Sequence, residues 1–352
     1  MRKTSNFISL LIVAVLILTF SEKAWAVSFS VERGATGTEE SALEASYGTG
    51  TVPNNVYNSD LSGTNTVGSS GQDTGTSGTQ GFGGFRPGQD IDAIFFGNPI
   101  APESISKYFF SLDYGAGYYT GPYPSGSGTE AAQGTGTAPS NVYMSTGDGT
   151  NVNPYPYSGP DLGIEPYTGS NLDAFNLEDF TSPNSYPLYF SLDLNEATDI
   201  DFDEDGTSDI TVGGGDILIS NGNGIFSTFL TSAGLGLSES DNLDALARLS
   251  DGSWLFSVDY GSYGLEGSAV FAAAGTGRRP ANIYRSFGDG SNSLWLSSEA
   301  LGLPSGRETE GGWGPNLDAF DIAATAAAIP EPTTMSLLGF GLLGLLGLRK
   351  KK

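Results

Sequence analysis

Three short sequence patterns occur four times each, in the same order, along the middle of the chain. The first, Phe-Ser followed by an aliphatic and an acidic residue, begins at Phe29, Phe110, Phe190 and Phe256. The second, an aliphatic residue followed by Asp-Ala, begins at Ile91, Leu172, Leu243 and Leu317. The third begins at Asn55, Asn141, Asp216 and Asn282, and a serine follows it at Ser59, Ser145, Ser220 and Ser286. The body is therefore a tandem array, with units at about 29–109, 110–189, 190–255 and 256–322.

Each pattern is typical of a short strand. Residues 254–259 are rich in aromatic and β-branched side chains and follow the turn signal Asp251-Gly252. A further strand is expected at 293–297, opposite 282–286 across Gly288-Asp289-Gly290. With 51 Gly and 18 Pro in 352 residues, long helices are disfavoured. About four antiparallel strands per unit predict an all-β protein, and a four-bladed β-propeller is the most economical closure. A two-sheet sandwich or an open stack is the alternative.

The two ends of the array favour a closed ring. The last unit stops at 318–322 without the Phe-Ser strand that should follow, whereas such a strand lies at 27–32. The N-terminal strand can therefore complete the last blade, and this removes the exposed sheet edges of an open stack. Between Asn58 and Gly84 the composition is almost free of apolar residues, so a flexible loop is expected.

Some repeated residues invite a functional interpretation. The repeated acids Asp92, Asp173, Asp244 and Asp318 could form a ring of carboxylates, but turn capping by the Asp side chain is favoured. The same holds for Asp113, Asp193 and Asp259. The tyrosines Tyr57, Tyr143 and Tyr284 could line a binding face, but core packing is favoured.

Charge and composition exclude several classes of function. The chain has 40 acidic and 15 basic residues, so its net charge of −25 repels nucleic acid, which is not an expected partner. The absence of His and Cys excludes disulfides, a Ser-His-Asp triad and a cysteine nucleophile. No catalytic residues are predicted, and the protein is not expected to be an enzyme. A polysaccharide-acting hydrolase or lyase that uses acidic residues is the alternative.

The acidic segment 201–209 has the spacing of a calcium loop. Oxygen ligands stand at Asp201, Asp203, Asp205, Thr207 and Asp209, and Gly206 permits the tight bend. The segment resembles calcium loops of the EF-hand, dockerin and integrin-propeller type, although Val212 replaces the bidentate Glu of the EF-hand. A structural Ca²⁺ is therefore predicted in a loop between two strands, with a dissociation constant of about 0.1–1 mM.

Both ends of the sequence resemble targeting signals. Residues 1–26 have the basic, apolar and small-residue regions of a signal peptide, which predicts export of the body, 27–322. A spacer at 323–329 precedes Pro330, Glu331 and Pro332, then an apolar run at 335–348 and the basic residues 349–352. This order resembles the PEP-CTERM sorting signal of Gram-negative bacteria, at 330–352.

The resemblance implies a partner and a location. In that family a membrane-embedded exosortase reads the Pro-Glu-Pro motif, and a C-terminal transmembrane helix holds the substrate in the inner membrane before processing. The basic cluster stays cytoplasmic, as topology rules also predict. The expected function is that of an exported cell-surface or extracellular-matrix protein with a structural, adhesive or exopolysaccharide-associated role. A ligand-binding propeller with a pocket at the ring axis is a further alternative.

Overall fold

The computed structural model is all-β, and its strands lie within Ala26–Ala323. The structure describes residues 26–31, 55–59, 61–69, 91–96, 108–112, 140–145, 151–152, 158–164, 171–177, 187–194, 198–200, 210–274, 279–303 and 316–323. Apart from Ala26, the predicted signal peptide lies outside these ranges, as do the predicted calcium loop and the predicted sorting signal with its transmembrane helix.

Four antiparallel sheets of four strands each form the blades of a four-bladed β-propeller, as the repeats predicted. From the centre outward, blade 1 contains β18 (Ala319–Ala323), β1 (Ala26–Ser30), β2 (Val56–Ser59) and β3 (Asn65–Ser69). Blade 2 contains β4 (Ile94–Phe96), β5 (Tyr108–Phe110), β6 (Tyr143–Ser145) and β7 (Asn151–Val152). Blade 3 contains β8 (Leu172–Leu177), β9 (Leu188–Leu192), β12 (Ile217–Ser220) and β13 (Phe226–Leu230). Blade 4 contains β14 (Leu243–Arg248), β15 (Trp254–Val258), β16 (Ile283–Ser286) and β17 (Ser293–Leu296).

The ring is closed by the two ends of the body. Strand β1 pairs antiparallel with β18, from Ala26 opposite Ala323 to Ser30 opposite Ala319. The innermost strands β18, β4, β8 and β14 each contact the next one around the ring. Closure of the ring by the N-terminal strand is therefore confirmed, and the blade that it completes together with β18 is blade 1.

The second and third strands of three blades carry a repeated aromatic pair. The rings of Phe29 and Tyr57 lie 5.7 Å apart, those of Phe110 and Tyr143 5.5 Å, and those of Phe256 and Tyr284 5.9 Å. All three tyrosines are fully buried, so the prediction that they pack in the core is confirmed. Their hydroxyls accept hydrogen bonds from the amides of Asn55, Asn141 and Asn282, which removes the cost of burying them.

The apolar core lies between neighbouring blades. One cluster joins blades 2 and 3 and includes Phe109, Leu162, Phe175 and Phe190. A second joins blades 3 and 4 through residues such as Leu235, Trp254 and Phe256. Because each blade buries both faces against its neighbours, the inner strands β8 and β14 are almost continuously buried.

The expectation of a flexible loop between Asn58 and Gly84 was wrong for its first part. Residues Asn65–Ser69 form β3, the outermost strand of blade 1, which pairs with β2. An outermost strand has one open edge and an exposed face, so it needs few apolar residues. Backbone hydrogen bonds to its neighbour supply the remaining stabilisation.

Helices are few and short in the described ranges: α1 (Gly159–Leu162), α2 (Ser232–Leu235), α3 (Ala269–Ala274) and two 3₁₀ turns, Arg279–Ala281 and Ser298–Leu301. Among the residues described, none forms a helix of the length and apolar character that a membrane span requires. A separate two-stranded sheet pairs β10 (Thr198–Ile200) with β11 (Ile210–Val212).

Candidate functional site at the centre of the propeller

The four repeated Asp-Ala motifs meet where the innermost strands begin. Their carboxylates belong to Asp92, Asp173, Asp244 and Asp318, and each of these residues is at most 8% exposed. We call this set the acidic ring. The structure thus brings together residues that are far apart in the sequence, as a propeller requires of its repeats.

Asparagines connect the acidic ring from blade to blade. The residue before each aliphatic-Asp-Ala motif is Asn in three of the four repeats, at Asn171, Asn242 and Asn316. The Nδ2 of Asn171 donates to Oδ2 of Asp92 in the preceding blade at 2.8 Å. The Nδ2 of Asn242 likewise donates to Oδ2 of Asp173 at 2.9 Å. These bonds stabilise buried carboxylates that would be costly without donors.

Asn242 also reaches a second acid of the same blade. Its Nδ2 lies 3.0 Å from Oδ1 of Asp193, the acid that ends the Phe-Ser motif. The backbone carbonyl of Asn171 accepts from the N–H of Asp193 at 3.0 Å. Turn capping by these acids stays a prediction, and the structure shows for Asp92, Asp173 and Asp193 bonds that join blades.

The serine of the Phe-Ser motif forms a second connection between blades. Ser30 Oγ donates to the carbonyl of Ile91 at 2.7 Å, and Ser257 Oγ donates to the carbonyl of Leu317 at 2.8 Å. Ser191 makes the corresponding bond to Leu243 at 3.4 Å. Each serine therefore holds the next blade at or just before the start of its innermost strand.

Some buried polar atoms next to the acidic ring lack hydrogen bonds. Within the described ranges, the buried Oγ of Ser111 and the Oδ1 atoms of Asn171, Asn242 and Asn316 have no hydrogen-bond partner. The Oδ1 of Asn242 packs against Gly214, where an added Cβ would approach it to 2.2 Å. No group of three or more acidic side chains in the part of the chain that the structure describes could hold a metal ion.

An exposed aromatic loop adjoins the acidic ring. We call residues 259–265, between β15 and α3, the tyrosine loop. Asp241, fully buried, accepts from the N–H groups of Tyr263 at 2.6 Å, Gly264 at 2.8 Å and Ser238 at 2.8 Å. The loop is thereby fixed beside the start of β14, while Tyr260 is 37% exposed and Tyr263 64% exposed.

The calcium and sorting residues fall outside the described ranges. The predicted calcium ligands are Asp201, Asp203, Asp205, Thr207 and Asp209, and the sorting residues are Pro330, Glu331 and Pro332. The strands expected on both sides of the acidic segment are present, since β10 and β11 pair with Ile200 opposite Ile210.

Sequence reasoning missed a repeated turn that joins the blades at their rim. A Leu-Gly-aliphatic sequence ends a short helical turn at residues 162–164, 235–237 and 301–303, with φ of +86°, +76° and +76° at the glycines. The turn carbonyls of Asp161, Gly234 and Ala300 accept from Gly224, Gly290 and Gly63 in a hairpin of the next blade. The signal was available, because each Leu-Gly pair precedes an Asn-Leu-Asp-Ala sequence.

The fold and the ring define a closed, repeat-built β-propeller in which Asn171 and Asn242 join neighbouring blades through Asp92 and Asp173. Comparison with known families identified the model of the PEP-CTERM protein-sorting motif, which matches residues 328–352. A search of the curated proteins found no match.

The match confirms the resemblance seen in the sequence. The protein carries a PEP-CTERM sorting signal, which marks it as an exported protein directed to an exosortase for processing. Its destination is the cell surface or the extracellular space.

Proposed function

We propose that this protein is a structural, adhesive or exopolysaccharide-associated component of the cell surface or extracellular matrix. The sorting signal at 328–352 is the observation that carries the proposal. A closed propeller supports it, because a ring that leaves only short outer sheet edges is a durable module outside the cell. The body and spacer, 27–329, together have 38 acidic and 8 basic residues, a net charge of −30, which keeps the protein soluble there.

The proposal is tested through the sorting motif. In the native cells, Glu331→Ala should leave the protein unprocessed and associated with the inner membrane, while the wild-type chain is shortened and reaches the surface or matrix. Glu310→Ala, an acidic residue ahead of the motif, is the matched control. Normal processing and release of the Glu331→Ala variant would refute the sorting step, and a released protein that never associates with the matrix would refute the role.

We also propose that the role is not enzymatic. The sequence lacks His and Cys, and the repeated acids Asp92 and Asp173 accept hydrogen bonds from amides that join the blades. Incubation of the purified protein with neutral and acidic polysaccharides should produce no new reducing ends or unsaturated products. Turnover that is abolished by one Asp→Asn change would instead support a hydrolase or lyase.

A structural Ca²⁺ belongs to the same proposal, with Asp201, Asp203, Asp205, Thr207 and Asp209 as its ligands. Pairing of Ile200 with Ile210 supports it, because it fixes the residues next to the first and last acids as neighbours across a hairpin. With a dissociation constant of about 0.1–1 mM, about 10 mM Ca²⁺ should stabilise the body by about 1.4–2.7 kcal/mol.

Calorimetry with Ca²⁺ or EDTA measures this stabilisation as a shift in Tm. An Asp203→Ala, Asp205→Ala variant should lose the shift, and Asp289→Ala, in an exposed turn, should keep it. A wild-type Tm that does not respond to Ca²⁺ would contradict the site.

A further inference from the structure

The tyrosine loop and the start of α3 expose an unusual amount of apolar surface. Within residues 260–271, Tyr260 is 37% exposed, Tyr263 64%, Leu265 38% and Phe271 48%. The four side chains belong to one folded unit, since Gly264 packs against the backbone nitrogen of Phe271. Exposed apolar side chains that are concentrated in one folded segment mark an interaction surface more often than isolated ones do.

The loop is rigid where it exposes these rings. In addition to the three N–H groups that Asp241 binds, Ser262 Oγ accepts from the N–H of Asn242 at 3.0 Å, and the N–H of Leu265 donates to the carbonyl of Gly236 at 3.0 Å. A partner therefore meets tyrosines that are already in place and does not have to order the loop. Such preorganised aromatic side chains give contact area at low entropic cost.

The charge of the loop indicates which kind of ligand this surface can bind. Residues 259–271, which carry the four exposed side chains, contain two acidic residues, Asp259 and Glu266, and no basic residue. Asp259 is half-buried beside Tyr260, and Glu266 is exposed next to Leu265. This surface repels polyanions, and it attracts a ligand with repeated positive charges and flat apolar faces.

We propose that the tyrosine loop binds a polysaccharide that contains amino sugars with free ammonium groups. The ammonium groups lie over the tyrosine rings and beside the carboxylates, and the C–H faces of the sugar rings stack on the aromatic surface. This inference rests on the proposed exopolysaccharide-associated role, for which it names the class of glycan and the residues that bind it.

The test measures binding of a glucosamine hexamer to the purified full-length protein in mild detergent. Titration calorimetry is run below neutral pH, so that the amino groups are protonated, and in about 0.15 M salt, which screens diffuse attraction. The hexamer should bind, whereas its N-acetylated form should bind more weakly and a uronic-acid hexamer should not bind.

Matched variants assign the binding to the loop. A Tyr260→Ala, Tyr263→Ala variant should lose roughly tenfold or more in affinity, since aromatic stacking of this kind contributes substantially per ring. The Tyr→Phe pair keeps the rings and should retain binding. Phe287→Ala removes a ring that is 62% exposed in another turn, against Arg285, and should leave affinity unchanged.

Several results would overturn the inference. They are equal affinity of the Tyr→Ala variant and the wild type, an equal loss in Phe287→Ala, or tighter binding of a lysine hexapeptide than of the sugar. The proposed function fails separately, through the localisation experiment: a wild-type protein that associates with the matrix but does not bind the hexamer refutes only the class of glycan.

Discussion

The repeat supplies a matched pair of serines with which the connection between blades can be measured. Ser257 and Ser111 occupy the same position of the Phe-Ser motif, and both are fully buried. Ser257 Oγ donates to the carbonyl of Leu317 at 2.8 Å, and this bond joins blade 4 to the strand that closes the ring. In the described ranges, Ser111 Oγ has no partner.

The same substitution should therefore have opposite effects at the two positions. Ser257→Ala removes a hydrogen bond and leaves a buried carbonyl without that donor, which costs about 1–3 kcal/mol of unfolding free energy. Ser111→Ala removes a hydroxyl that is buried without compensation, so stability should be unchanged or rise by up to about 2 kcal/mol. Because the change in volume is identical, the difference between the variants isolates the hydrogen bond.

Urea denaturation and calorimetry of the body measure both values. For a domain of this size each kcal/mol corresponds to roughly 2–4 °C in Tm, so Ser257→Ala should melt several degrees below the wild type. Equal destabilisation of the two variants would refute the reasoning, since it would mean that loss of the hydroxyl group itself, and not loss of its hydrogen bond, lowers the stability.

Three further changes test other contacts by the same denaturation assay. Asn242→Ala removes both hydrogen bonds from this amide to carboxylates and should lower the free energy of unfolding by about 3–5 kcal/mol. The exposed Asn223→Ala should lower it by less than about 0.5 kcal/mol, and equal losses would contradict the network. Arg248→Ala removes a guanidinium that lies 5.3–5.8 Å from three aromatic rings and should cost about 1–3 kcal/mol, and a neutral result would refute the cation–π contribution. Gly302→Ala, where a Cβ would approach the carbonyl oxygen of Gly63 to 2.7 Å, should cost clearly more than Gly252→Ala, which has a similar positive φ and nothing within 4 Å.

Much of the fold could be predicted because the strand pattern of one blade occurs four times in the sequence. The Phe-Ser strand at one end and the lone Leu317-Asp318-Ala319 strand at the other were enough to indicate closure by the pairing of β1 with β18. The repeat identified the strands, since single strands such as β6 or β7 are too short and too variable to identify by themselves. Strand β3 was missed for the same reason: its one apolar residue, Val67, gives no periodic signal.

The acidic ring was predictable only in part. Repetition identified Asp92, Asp173 and their equivalents, but Asn171 and Asn242 act across a blade boundary, and their partners are about 70–80 residues away. The sequence around each Asp predicts only that it caps its own turn. It does not predict the asparagine donor, which belongs to the next blade and comes near the Asp only in the folded ring. Sequence reasoning missed the tyrosine loop because the exposure of its aromatic residues depends on the anchoring by Asp241, although Tyr260 recurs as Tyr114 after the Phe-Ser motif of another unit.

The pairing of Val27 with Ile322 places both ends of the body at neighbouring positions of one blade. Whatever is attached beyond Ala323 pulls first on β18, a strand in the middle of the ring and in contact with β14, β4 and β1. A mechanical load on such a tether is thus shared among three of the four sheets from the start. A tether at an outermost strand would instead peel away a single edge, so the architecture is well suited to bearing tension.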